Sequence, residues 1–130
     1  MILLDTHVVV WLALDIERVS RKAKTEIARV RDGGEGLGVS DISLLEIATL
    51  ERKGRIALNV TLETFLSEVE ARFTILPITG RVCVRSLSLP LDYPDDPADR
   101  VIGATALVEG ISLVTADNEI RRSKAVSTIW

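Results

Sequence analysis

The sequence predicts an α/β protein with three layers, in which a mainly parallel central sheet lies between helices. Short apolar runs such as Ile2–Leu4 and Leu37–Ser40 alternate with helical segments along the chain, and this alternation is typical of parallel sheets. The 130 residues, 47% of them hydrophobic, are enough for one core without disulfides. No linker, repeat or low-complexity tract interrupts them, so residues 1–130 are predicted to form a single domain.

The first part of the chain is predicted to contain two strands and three helices. Ile2–Leu4 is a short apolar run typical of a buried strand, and "HVVVWLAL" after it is an apolar helix that should be largely covered. Ser20–Asp32 has apolar residues at helical spacing on a charged surface, and "GGEG" ends this amphipathic helix. "LGVS" is a second strand, and Ser40 is placed to cap a helix over Asp41–Lys53.

The second part repeats the alternation. Thr61–Phe73 is predicted to be an amphipathic helix and "TILPI" a strand, after which Thr79 caps a helix over Gly80–Leu87. The loop "LPLDYPDD" leads to an apolar helix, Pro97–Glu109, with Gly110 as its C′ residue. "ISLVTAD" is a buried strand, "NEIRRS" a helical turn, and "AVSTIW" a final edge strand.

Composition excludes several classes of protein. The formal net charge of −3 argues against a protein that coats nucleic acid, but not against a nucleic-acid enzyme that uses divalent cations. The single cysteine, Cys83, cannot form an intramolecular disulfide and is expected to be a small core residue in a reducing compartment. No segment is apolar enough to span a membrane, and "MILLDTH" lacks signal-peptide features. We therefore expect a cytoplasmic protein with no membrane partner.

Four acidic residues occupy positions that point to a site. Asp5 and Asp117 each follow a predicted strand directly, Asp99 lies in the first turn of the late apolar helix, and Glu46 lies inside the third helix. Ligands of parallel sheets bind at the carboxyl ends of the strands, so these side chains can converge there. Asp5 and Asp117 could equally cap the helices that follow them. With Asp96 as N-cap, Asp99 falls at N3, as in a capping box.

Glu46 is the member of this set that capping does not explain. Its neighbours one turn away are Ile42 and Leu50, so its carboxylate is expected to be partly buried, which is costly unless it is paired or faces a metal. Four carboxylates together repel one another, and a divalent cation removes that penalty. Oxygen ligands without Cys or paired His suit Mg²⁺ or Mn²⁺ better than zinc.

The motifs around these acids resemble those of one family. "MILLDTHVVVWL", "VSDISLLEIATL", "DDPADRVIGATALVEG" and "ISLVTADNEIRR" occur in the family's order along essentially the whole chain. The chain resembles a PIN-domain ribonuclease, specifically a VapC-type toxin. The resemblance implies a single PIN-like domain, Mg²⁺- or Mn²⁺-dependent hydrolysis of RNA, a homodimer, and inhibition by a VapB-like antitoxin that covers the active site. It also implies that Asp5, Glu46, Asp99 and Asp117 are the catalytic and metal-binding residues.

Four further residues are weaker candidates. The Thr6 hydroxyl could bind a metal-bound water or a phosphate, or could cap the first helix. Asn118 could be a neutral oxygen ligand or a turn residue, and Asp96 could support the metal ligands or act only as an N-cap. Arg100 could reach a phosphate, but an ion pair with a nearby carboxylate is favoured.

Other conspicuous side chains receive no catalytic role. His7 is the only histidine and has no second His or Cys partner, so no chemistry is assigned to it. Trp11 could line a groove for an antitoxin helix, although core packing is favoured. The basic clusters around Arg18 and Arg52 could guide RNA, but such clusters are more often solvated faces.

The resulting hypothesis is an endoribonuclease in which metal-activated water attacks the phosphodiester. One alternative is a phospho-aspartate receiver or an aspartate-nucleophile phosphatase. The phosphatase would usually need a second aspartate at position 7, which is His7, and neither class explains Glu46. The other alternative is a catalytically silent PIN-like module that only binds a partner.

Overall fold

The computed structural model describes residues 1–130 and contains one five-stranded sheet with seven α-helices. The strands are β1 (Ile2–Leu4), β2 (Leu37–Ser40), β3 (Thr74–Leu76), β4 (Leu113–Val114) and β5 (Thr128–Ile129). The helices are α1 (Thr6–Leu14), α2 (Arg21–Asp32), α3 (Asp41–Arg52), α4 (Leu62–Arg72), α5 (Gly80–Leu87), α6 (Pro97–Glu109) and α7 (Asn118–Ser123). All strand pairs are parallel, in the order β3-β2-β1-β4-β5. The predicted α/β class with a parallel sheet is confirmed.

The helices begin at capping side chains, several of which the sequence indicated. Each cap has an extended or near-extended backbone, and its side-chain oxygen accepts a hydrogen bond from a backbone N–H of the first turn, which satisfies one of the otherwise unpaired donors there. Ser40, Thr79 and Asp96 were predicted to do so, and Ser20 and Thr61 cap α2 and α4 in the same way. Gly110 ends α6 in the left-handed conformation, as expected of a C′ glycine.

The strand order creates a crevice at the centre of the sheet. The chain runs outward from β1 in both directions, to β2 and β3 on one side and to β4 and β5 on the other. Leu4 pairs with Val114 in the register of β1 and β4, so Asp5 and Thr115 leave the sheet side by side. Such a reversal point is where ligands bind in open parallel sheets.

The core lies on both faces of the sheet. Leu4 packs into a cluster that contains Val8, Ile27 and Phe65, whereas its neighbour Leu3 packs into a second cluster under α6 and α7. This alternation follows from the period of two along a strand. Both leucines are fully buried, which explains why β1 is apolar at every position.

Three details differ from the expectations. Cys83 is exposed, because α5 turns Val82 inward and the next residue points about 100° around the helix axis. Strand β4 contains only Leu113 and Val114 instead of the longer run expected from "ISLVTAD". A 3-10 turn over Ile16–Arg18, between α1 and α2, was not predicted. No helix combines the length and the apolar character needed to cross a membrane.

Candidate active site

Asp5 lies at the bottom of the crevice, directly after β1. Its side chain is 6% exposed, and Oδ1 accepts a hydrogen bond of 2.8 Å from the Thr6 N–H. Oδ2 accepts one of 2.6 Å from the Thr115 hydroxyl. Burial raises the pKa of Asp5 even though both hydrogen bonds lower it. Asp5 is thus both the N-cap of α1 and a desolvated carboxylate.

Thr115 was not identified from the sequence. It is fully buried, donates its hydroxyl proton to Asp5 and accepts the Asp117 N–H at 3.1 Å. Its role depends on the pairing of β1 with β4, which no local pattern specifies. The only local signal is its place in "TAD", at the end of an apolar run and two residues before an acidic candidate.

Glu46 faces the same crevice from α3. The Thr6 hydroxyl donates to Glu46 Oε1 at 2.5 Å and lies 2.8 Å from the Ser43 hydroxyl. Because Thr6 has one hydroxyl proton, Ser43 is the donor in the second contact. Burial raises the pKa of Glu46, and the negative charge of Asp5 adds to this effect. The half-buried position expected between Ile42 and Leu50 is observed.

Asp99 is the acid with the least support from hydrogen bonds. Its backbone N–H donates to the capping Asp96 side chain at 3.1 Å, but no hydrogen bond reaches the Asp99 carboxylate, so the reciprocal half of a capping box is not formed. Burial, followed by the charges of Asp5, Asp96, Glu46 and Asp117, raises the pKa of Asp99 to about 7. The four candidate acids therefore lie within electrostatic reach of one another.

Asp117 combines capping with a free oxygen. Its Oδ1 accepts the N–H groups of Glu119 and Ile120 at 2.8 and 3.0 Å, which fixes the start of α7. Its Oδ2 accepts no hydrogen bond and remains available. The neighbouring Asn118 is exposed, and its side-chain oxygen lies 3.5 Å from Arg121 Nη1 along the same helix.

Arg100 lies against the loop that precedes α6. Its Nη2 is 3.2 Å from the Asp95 carboxylate, and the guanidinium also donates to the carbonyl oxygens of Ser86 and Tyr93. These contacts agree with the ion pair favoured from the sequence. None of them is with the four central acids.

Tyr93 holds the start of α6 in place. It is buried, and its hydroxyl donates to the Asp99 carbonyl oxygen at 2.8 Å. Gly103, one turn later, leaves room for the ring, because a Cβ there would lie 2.3 Å from the Tyr93 hydroxyl. From the sequence, Tyr93 was only part of an irregular loop. It positions Asp99 from behind the crevice.

The donor set fits a hard divalent cation. Asp5, Glu46, Asp99 and Asp117 offer only carboxylate oxygens, which is the chemistry of Mg²⁺ or Mn²⁺ sites. Three of the four have a raised pKa, a penalty that a bound cation relieves. As the side chains lie, no group of three His, Cys, Asp or Glu residues is close enough to hold one ion. The Asp99 carboxylate accepts no hydrogen bond, so its rotation is the simplest change that could bring the acids around one ion.

Two open clefts adjoin the acids. One, of about 290 Å³, contains Asp5 and Asp117 together with His7, Trp11, Arg18 and Ala116. The other, of about 410 Å³, lies between α3 and the start of α6 and contains Glu46, Asp96, Lys53 and Arg55. Of the two predicted basic clusters, Arg18 therefore lies in the first cleft, and Lys53 and Arg55 lie in the second.

Comparison with known families identifies the fold. The pattern of the PIN domain matches residues 2–125. The chain belongs to the PIN-domain family. The resemblance stated from the motifs is confirmed. Across 99% of its length, this PIN domain is also 34% identical to the ribonuclease VapC22 of Mycobacterium tuberculosis, of which it covers 98%.

Solved structures of low sequence identity share the PIN fold. The VapBC2 structure from Rickettsia felis, bound to a DNA fragment from its promoter, has a TM-score of 0.72 and 16% identity; the match covers 98% of this chain and 97% of that one. The VapBC-1 structure from nontypeable Haemophilus influenzae has a TM-score of 0.69 and 16% identity, with coverage of 98% and 96%. At such identities the likeness concerns the fold alone.

Proposed function

We propose that this PIN domain is a divalent-metal-dependent endoribonuclease that acts as the toxin of a toxin–antitoxin pair. The observation that carries the proposal is the set of four carboxylates at the crevice, which lie directly after β1, in α3, in α6 and directly before α7, and whose charges act together on Asp99. The 34% identity to ribonuclease VapC22 over nearly the whole chain supports RNA as the substrate.

In this proposal Asp5, Glu46, Asp99 and Asp117 hold Mg²⁺ or Mn²⁺. A bound ion would supply a water of lowered pKa and offset negative charge on the phosphodiester. Thr115 and Thr6 keep the carboxylates of Asp5 and Glu46 oriented through their hydroxyl groups. Asp99, whose pKa is about 7, must release its proton to become a ligand, so occupancy of the site should increase with pH.

The accessory residues take supporting roles in the same proposal. Thr6 and Ser43 form the hydroxyl chain that holds Glu46, and Asp96 caps α6 and adds negative charge near Asp99. Arg100 holds the loop before α6, and Asn118 belongs to the first turn of α7. RNA contacts from Arg100 and Asn118 are not needed by this arrangement.

Proteins of similar structure also suggest which protein partners this chain has. Structures similar in fold contain VapBC pairs, and we propose a VapB-like antitoxin for this chain. An apolar groove between α1 and α4, lined by Leu12, Phe65 and Phe73 among others, suits the apolar face of an antitoxin helix. A homodimer is supported by α5, where Val84 and Leu87 are 72% and 86% exposed.

An RNA cleavage assay tests the proposal. Total RNA is incubated with the protein in Mn²⁺, in Mg²⁺ and in excess EDTA, and the ends of the fragments are mapped. We expect cleavage at defined positions with either metal, none with EDTA, and a loss of at least about 100-fold for Asp5→Asn.

Other outcomes separate the alternatives. Mn²⁺ binding without cleavage of any RNA would favour a silent binding module. A mass increase of one phosphate after incubation with a phospho-donor would favour a receiver or phosphatase.

A further inference from the structure

The cleft beside Asp5 and Asp117 has an unusual lining for an acidic site. Besides the two acids it contains the side chains of Arg18, Trp11 and His7. The Arg18 guanidinium carbon lies 4.5 Å from the centroid of the Trp11 ring, within the distance of a cation–π contact. A cation and two aromatic rings thus flank the acids on one side.

Arg18 has no acidic partner in the fold. It is exposed and takes part in none of the salt bridges or side-chain hydrogen bonds of the structure. Stacking on Trp11 restricts the orientation of its planar guanidinium but leaves the N–H donors at its edge free. Arg18 lines the same cleft as Asp5 and Asp117, so its free donors face that cleft. A phosphate is the ligand that such a fork of donors matches.

Trp11 also lies close to two other aromatic rings. Trp130, the last residue, lies 5.9 Å from Trp11 between ring centroids, and His7 lies 5.8 Å from it. Trp11 is half-buried, whereas His7 is exposed in the first turn of α1. Unpaired bases of single-stranded RNA stack on such rings, and this contact tolerates any base.

We propose that this cleft binds the nucleotide of single-stranded RNA that adjoins the scissile phosphodiester, with Arg18 contacting its phosphate and the His7 ring packing on its base. The inference deepens the proposed ribonuclease function and rests on it. RNA that approaches four carboxylates meets strong repulsion unless positive charge lies nearby, and Arg18 adds such a charge beside the proposed metal ions. Lys53 and Arg55 line the cleft on the other side, but that cleft has no aromatic ring.

A purely structural role of Arg18 makes a different prediction. If the guanidinium only covers the Trp11 ring, its removal lowers stability and leaves RNA binding unchanged. If it binds phosphate, its removal weakens binding of RNA and also reduces the dependence of that binding on salt by about one ion. The salt dependence therefore distinguishes the two roles.

The test uses the full chain and a fluorescein-labelled 12-nucleotide single-stranded RNA. Binding is followed by anisotropy with Ca²⁺ in place of Mn²⁺, at several salt concentrations, and cleavage is followed separately with Mn²⁺. The variants are Arg18→Ala, Arg18→Lys and His7→Ala. The matched control is Arg31→Ala, because Arg31 is an exposed arginine of α2 that pairs only with its neighbour Asp32. Melting temperatures are measured for all variants.

We expect Arg18→Ala to raise Kd and KM about tenfold, with kcat changed by less than about threefold and the salt slope reduced by about one. Arg18→Lys should recover part of the affinity, His7→Ala should weaken binding without altering the salt slope, and Arg31→Ala should behave like wild type.

If wild type binds RNA through Arg18 but does not cleave it, the cleft is an RNA-binding site and the ribonuclease proposal fails. Wild-type binding and KM in Arg18→Ala, or a wild-type protein that does not bind the RNA, would overturn the inference.

Discussion

Thr115 shows how a single hydroxyl can control a buried acid. It donates to Asp5 Oδ2 at 2.6 Å and accepts the N–H of Asp117 at 3.1 Å, so it connects two of the four acids. Because Asp5 is buried, an oxygen that lost this donor would have no water to replace it. The geometry of the site therefore depends on a residue that contributes no ligand of its own.

Replacing Thr115 with valine tests this role. Valine keeps the shape and removes the donor, so we expect the free energy of unfolding to fall by about 1–3 kcal/mol and Mn²⁺ affinity to fall at least about tenfold. Urea unfolding and Mn²⁺ titration measure the two effects. Thr105→Val is the matched control, because Thr105 is also buried but donates only to the Val101 carbonyl oxygen of its own helix. Equal Mn²⁺ affinity in the two variants would contradict the assigned role.

The sequence singled out the four acids and Thr6, but not the other residues that hold the acids. Asp5, Glu46, Asp99 and Asp117 could be singled out because each lies at a strand end, in a helix start, or on an apolar helix face. Ser43 and Thr115 could not, because each acts on a residue that is distant in sequence. Tyr93 could not, because its contact with Asp99 depends on how an irregular loop folds back on the helix that follows it.

Helix α6 is the element that carries Asp99 into the site. The ring of Tyr93 packs against it at Gly103, where a Cβ would approach within 2.3 Å of the tyrosine hydroxyl. The same hydroxyl binds the Asp99 carbonyl oxygen. The close approach of ring and helix thus decides where the first turn of α6 lies.

Gly103→Ala is therefore expected to disturb α6. The added methyl group forces the ring or the helix to move, which should cost about 1–3 kcal/mol of unfolding free energy. Gly80→Ala is the control, since a Cβ at Gly80, the first residue of α5, meets nothing within 4 Å, and it should be neutral or stabilising by about 0.5 kcal/mol. Both are measured by urea unfolding. If the two variants are equally stable, the ring does not fix the helix.

Elements with strong periodicity and caps were predicted with nearly their observed bounds, as for α2, α5 and α6. Strand β4 was predicted too long, because its length is set by pairing with β5 over two positions and not by its own apolar run. The 3-10 turn that presents Arg18 was missed, since three residues are too few to show a period.

The fold as a whole assembles the four acids from distant parts of the chain. General rules for parallel sheets predicted that strand-end residues meet, but not that β1 lies between β2 and β4. That order places Asp5 at the centre and Asp117 beside it. The two clefts on either side depend on how helices from separate parts of the chain lie together, which local patterns do not specify.

The charge of the assembled site predicts how stability depends on pH. The folded pKa of Asp99 is about 7, raised from 3.8 by burial and neighbouring acids. Without metal, its contribution to stability is fully present below pH 4 and is lost as pH rises through about 7. A shift of this size corresponds to about 4 kcal/mol, but partial solvent exposure of Asp99 reduces the expected effect to about 1–2 kcal/mol.

The variant Asp99→Asn isolates the contribution of this carboxyl group to the free energy of unfolding. Urea unfolding in EDTA between pH 4 and pH 8 should show the variant more stable than wild type at pH 8, with a difference that shrinks as pH falls, because asparagine cannot ionise. Saturating Mn²⁺ should stabilise wild type more than the variant, since binding to the folded state alone adds to its stability. A difference in stability that stays constant with pH would show that folding does not raise the pKa of Asp99.

If Asp99 is a metal ligand as proposed, metal-dependent cleavage of RNA depends on its carboxylate and not on the other acids at the start of α6. The most direct measurement is the rate of cleavage of one defined RNA at saturating Mn²⁺ by wild type, Asp99→Asn and Asp95→Asn. Asp95 belongs to the same acidic stretch, but its side chain is fully exposed and pairs with Arg100. We predict a rate at least about 100-fold lower for Asp99→Asn and a rate close to wild type for Asp95→Asn. Equal rates for Asp99→Asn and wild type would contradict the account.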